Sequence, residues 1–72
     1  MKAFILVTID GRVLTDENGY PRIWESKKSA QRDAKWLKEK YGVKFKVMPT
    51  SLYVVSKPTR RIALTTKGLQ YV

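Results

Sequence analysis

The densest run of residues able to do chemistry is Lys57-Pro58-Thr59-Arg60-Arg61. Two adjacent arginines after a proline-fixed loop present planar guanidinium forks, which phosphate oxygens accept through paired hydrogen bonds. Upstream, Val43-Lys44-Phe45-Lys46-Val47 alternates strictly. A strand there carries Lys44 and Lys46 on one face and its apolar residues on the other. With Lys67, these residues make a candidate basic track for nucleic acid or another anionic partner. Trp36 and Tyr53 are candidate anchors, because bases stack on aromatic rings and protein interfaces are enriched in them. The chemistry is charge neutralisation rather than bond making.

The rest of the composition narrows the classes. The chain has 72 residues, 15 Lys+Arg against 6 Asp+Glu, a formal charge of +9, and neither Cys nor His. That excludes a disulfide framework, a Cys/His zinc site and haem attachment within this chain. It also excludes Ser/His/Asp and Cys/His catalysis. Asp16 and Glu17 sit together in a turn with Asn18 and Gly19, where acids serve solvation and local hydrogen bonds. They lack the ligand number and spacing of a calcium loop. None of the four glycines belongs to a phosphate-cradling pattern. The chain is therefore read as a non-enzymatic binder with no cofactor. Residues 1–39 hold eight basic and all six acidic residues; residues 40–72 hold seven basic residues and no acid. An acid-free half creates a field that attracts anions.

A second basic cluster, Lys27, Lys28, Arg32, Lys35 and Lys38, is read as the solvated face of a helix. The longest apolar run, Ala3 to Val7, is far short of a membrane span. It is also too short for a signal peptide, so the expected location is the cytoplasm, the host's if the protein is viral.

The elements that must position these residues follow from pattern. Ala3 to Ile9 is β-branched, aromatic and apolar on both alternating faces, as in a central strand or one in a dimer interface. Asp10-Gly11 signals a type I′ turn, and Asp16-Glu17-Asn18-Gly19 a second turn; alternatively residues 10–19 form one irregular hairpin loop. Ser26 is a helix N-cap and Gly42 a C-terminal stop. Between them Ala30, Ala34, Leu37 and Tyr41 form a narrow stripe whose small residues permit close approach to a sheet. Trp36 lies on the flank, and Trp24 is expected to pack against the helix. Met48-Pro49-Thr50-Ser51 is expected to break the following strand.

The result is one α+β domain over residues 1–72, with strands near 2–9, 12–15 and 20–24 and a helix over 27–41. Further strands are expected near 43–48, 52–56, 61–65 and 69–72. The sheet is mostly antiparallel, with the single helix packed on one face.

The stretch from Asp16 to Ala30, continuing into Asp33-Ala34-Lys35-Trp36-Leu37, resembles the hairpin-into-helix unit of very small phage-encoded accessory proteins. Some of these disable host transcription, nucleases or defence systems by covering an interaction surface. The same order, over residues 2–41, is similar to the DNA-binding arm of phage integrases. That family reads DNA with an exposed sheet face, whereas Phe4 to Ile9 here is apolar on both sides. The expected function is binding of nucleic-acid phosphates through the C-terminal basic patch. The alternative is an inhibitor or adaptor docked on an acidic host protein. A third reading closes a homodimer through the first strand.

Overall fold

Strand β1, Lys2–Thr8, organises the molecule because it takes a partner along each edge. The computed structural model describes residues 2–51 and 56–72, so Tyr53 and most of the expected strand 52–56 lie outside the described residues. Within them the chain is an α+β fold. The strands are β1, β2 (Val13–Thr15), β3 (Phe45–Ser51), β4 (Arg61–Thr65) and β5 (Gly68–Tyr71), and the helix is α1 (Lys27–Tyr41). They make one sheet in the order β3-β1-β2-β4-β5. β1 is antiparallel to β2 and β3, β4 is antiparallel to β5, and β2 runs parallel to β4.

Register decides which face is core. Leu6 lies beside Val47 and Thr8 beside Phe45. Leu14 lies beside Ile62, and Leu64 beside Leu69. These residues share a face, and α1 covers it with Ala30, Ala34 and Leu37. Leu6, Leu14, Ala30 and Ile62 are fully buried. Each enclosed Leu or Ile contributes about 1.5–3 kcal/mol by leaving water. The two alanines matter for the opposite reason: with no bulk, they let the helix axis come close.

α1 begins and ends where capping chemistry places it. Ser26 is extended, and its hydroxyl accepts from the Ser29 N–H at 3.3 Å. Gly42 adopts φ 73°, and its N–H closes on the Lys38 carbonyl at 2.8 Å. That left-handed geometry is why a glycine stands there.

Several details differ from expectation. The first turn is not type I′, since Asp10 has no positive φ. The turn closes over Ile9 and Asp10, with the Gly11 N–H donating to the Thr8 carbonyl at 3.0 Å, and Gly11 alone takes φ 86°. This is the three-residue hairpin in which a glycine follows the turn. Ile9 consequently leaves the strand and stands exposed. Asp16 to Tyr20 repeats the device. The Asp16 N–H donates to the Tyr20 carbonyl as the Thr8 N–H donates to that of Arg12, and Gly19 takes φ 92°.

Residues 20–24 form no continuous strand. They are wedged where β1 and β2 diverge, bridging Trp24 to Phe4 and Pro21 to Thr15. Pro49 does not break β3. The Phe4 N–H and C=O are both spent on Trp24, so the Phe4–Pro49 pair makes no ladder bonds. The proline nitrogen then faces outward on an edge strand, where no donor is needed.

Candidate functional site

The residues singled out from sequence separate into three groups. Lys44 and Lys46 are exposed at the start of β3, one edge of the sheet. Lys57, Arg60 and Arg61 lie on the approach to β4. Lys67 occupies the β4–β5 turn, at the far end of β4 from Arg60 and Arg61. That turn is held by an acid: the Thr66 N–H donates to Glu17 Oε1 at 3.1 Å. Lys67 therefore lies apart from the other two groups, which are themselves separated by β1 and β2.

Two of the cations in the second group are occupied with the fold. The Arg61 guanidinium donates to the Pro58 carbonyl at 3.2 Å. It also lies over Gly19, with Lys57 alongside: a Cβ there would stand 3.4 Å from both side chains. Lys57 Nζ lies 5.0 Å from the Tyr20 ring centroid, in cation–π range. Arg60 is exposed, while its carbonyl accepts from the Val13 N–H at 3.1 Å.

Arg12, not singled out from sequence, also fastens the fold. It pairs with Asp10 at 3.2 Å, donates to the carbonyls of Arg61 and Val72, and sits 5.1 Å from the Tyr71 ring. One guanidinium thereby ties the first hairpin to the chain's last residues.

The structure brings other cations together instead. Between α1 and β3 runs an open groove of about 390 Å³. Lys27, Lys35 and Lys38 line it from the helix, and Lys44 lines it from the sheet edge. Its floor holds Ala34, Phe45 and Val47, with Gln31 beside them. The lining contains no acidic residue. The helix positions follow from periodicity, since 27, 31, 34, 35 and 38 fall along one flank. Lys44 reaches it because Gly42 stops the helix three residues before β3 begins. The two clusters that sequence kept apart, helix lysines and Lys44, become one site by folding.

On the other flank of α1 lies a cleft of about 340 Å³ lined by Leu14, Arg22, Trp24, Asp33, Trp36, Leu37 and Leu64. Trp24 Nε1 donates to Asp33 Oδ2 at 2.6 Å, fixing the expected contact of Trp24 with the helix. Trp36 is 47% exposed. Its ring meets Tyr41 edge-on, with centroids 6.0 Å apart, and Lys40 Nζ lies 5.0 Å from its centroid.

The groove offers flexible ammonium groups, each a point charge with three donors. Such groups suit phosphate oxygens, whose number and charge matter more than a fixed geometry. Among the described residues no cluster of three His, Cys, Asp or Glu could hold a metal. No described helix is long and apolar enough to cross a membrane.

Comparison with protein-family models, with characterised proteins and with solved structures finds no match for this chain.

Proposed function

We propose that this protein is a small non-enzymatic binder of nucleic acid that holds backbone phosphates in the groove between α1 and β3. The observation that carries the reading is the convergence of Lys27, Lys35, Lys38 and Lys44 on one groove with no acid in its lining. Lys46, on the face of β3 opposite Phe45 and Val47, and Arg60, beside β2 just before β4, add to the overall positive field without lining the groove. The +9 charge draws a polyanion from a distance and the groove receives it.

The test is a titration of labelled DNA and RNA at several salt concentrations. Each phosphate neutralised on duplex DNA adds about 0.9 to the log–log salt slope, so four lysines predict a slope of roughly −3.6. Replacing Lys35, Lys38 and Lys44 by Gln flattens it. Salt-insensitive binding, or none, rejects the reading.

The second reading, an inhibitor or adaptor on an acidic host protein, is favoured by the half-exposed Trp36. It accords with the resemblance to phage accessory proteins. A tagged pull-down from nuclease-treated lysate separates the two. A stoichiometric protein that survives nuclease supports the adaptor; loss of every partner supports nucleic acid.

A further inference from the structure

We infer that the cleft beside Trp36 is a base-binding site, which makes the preferred ligand single-stranded. The inference rests on the nucleic-acid reading above and adds to it which form is bound. Arg32, Trp36 and Lys40 stand at i, i+4 and i+8 on α1. Successive positions of that kind are about 5–6 Å apart on one face. Two cations thus bracket the ring along the helix, placed to meet the phosphates on either side of a stacked base; the Lys40 ammonium rests 5.0 Å over the ring and gives way when the base stacks. Trp36 is half-exposed and steadied by Tyr41, so it costs little ordering on binding.

The polar groups of the cleft favour a base over a plain aromatic side chain. Arg22 and Asp33 both line it, yet among the described residues no ion pair joins them. Trp24 engages Asp33 Oδ2, while Oδ1 has a long contact with Arg32 at 4.0 Å. A donor fork and a carboxylate oxygen in one cleft match a ring whose edge carries both acceptors and donors. Every nucleobase has such an edge, and a phenyl ring has none. A base inside a duplex cannot present it without being extruded, whereas an unpaired base can.

Both tryptophans of the chain line this cleft, so intrinsic fluorescence reports on it directly. The full chain is titrated with a short mixed-sequence single strand, the same strand annealed as a duplex, and inorganic polyphosphate. The single strand is expected to quench the emission and to bind at least tenfold more tightly than the duplex. Polyphosphate is expected to bind without quenching. Trp36→Ala, with its fold checked by circular dichroism, should weaken single-strand binding roughly 5- to 150-fold, the range of one stacked base. Asp33→Asn should weaken it with the stacking ring intact. Equal affinity for strand and duplex, or salt-sensitive binding unchanged by Trp36→Ala, overturns the cleft and leaves the groove standing. Failure of all three ligands to bind overturns both. The comparison of wild-type ligands needs no variant and stands if Trp36→Ala fails to fold.

Discussion

At the scale of single residues, the first turn is held by a compact exchange between Thr8, Asp10 and Arg12. The Thr8 hydroxyl donates to Asp10 Oδ1 while accepting from the Arg12 N–H at 2.9 Å, and Arg12 Nε donates to Asp10 Oδ2. The Thr8 hydroxyl is the main cause of an Asp10 carboxyl held below its ordinary value of 3.8, with Arg12 adding to it. A carboxyl lowered by folding stabilises the native state above its unfolded value, and the contribution is lost as pH falls through the folded value. Asp10→Asn should therefore lower the thermal midpoint at neutral pH and converge with the parent below pH 3.8. Melting curves across acid pH check this, and a constant offset would mean that Asp10 acts by shape alone. Tyr20 is placed in the same way, by Asp16 Oδ1 accepting from the N–H groups of Asn18 and Tyr20.

Among the elements, α1 lines both the groove and the cleft, so its seating on the sheet is the quantity to perturb. Leu37 is 2% exposed beneath it, and Leu37→Ala should cost about 2–5 kcal/mol, enough to unfold much of so small a protein. Trp24→Phe removes the indole N–H from Asp33 and replaces the indole by a smaller phenyl ring. It should cost about 1–3 kcal/mol in urea denaturation, from the lost hydrogen bond and from packing lost against the core, while the half-exposed carboxylate regains water. The helix was legible from its local chemistry: Ser26, Gly42 and the Ala30–Ala34–Leu37–Tyr41 stripe are all contained within seventeen consecutive residues. Strands β4 and β5 were legible as local patterns near 61–65 and 69–72. The parallel pairing of β2 with β4 was not, since it joins residues 13–15 to 61–63 with no turn to announce it. Pro49 misled because the proline rule depends on which ladder side faces a neighbour, and that is set by Phe4 bonding to Trp24. The site was half legible. Lys44 and the helix lysines were each visible as charges, but a groove exists only once the register sets Phe45 and Val47 beneath α1.

For the molecule as a whole, +9 on a body with a radius of gyration of 11.1 Å is an energetic problem as well as a lure. The Debye length is about 10 Å at 0.1 M salt, so at low salt nearly every cation feels the others. Two like charges 8 Å apart repel by about 0.5 kcal/mol in water, and the groove holds four of them. Only two ion pairs offset this among the described residues, Arg12–Asp10 and the long Arg32–Asp33 contact, and neither touches a groove lysine. Lysines placed merely for solubility would be interspersed with acids, which keep the surface charged without building a field. The groove should therefore weaken the fold and serve the ligand, and salt should act on the two in opposite directions. Added salt should raise the thermal midpoint of the free protein while weakening its complex with nucleic acid. The triple variant Lys35→Gln, Lys38→Gln, Lys44→Gln should melt higher than the parent at low salt, with the gap closing as salt screens the repulsion. The same variant should lose most of its affinity. Melting curves and binding isotherms over one salt series check both halves. A variant less stable than the parent at low salt would show that these lysines support the structure, and their convergence would no longer argue for a ligand.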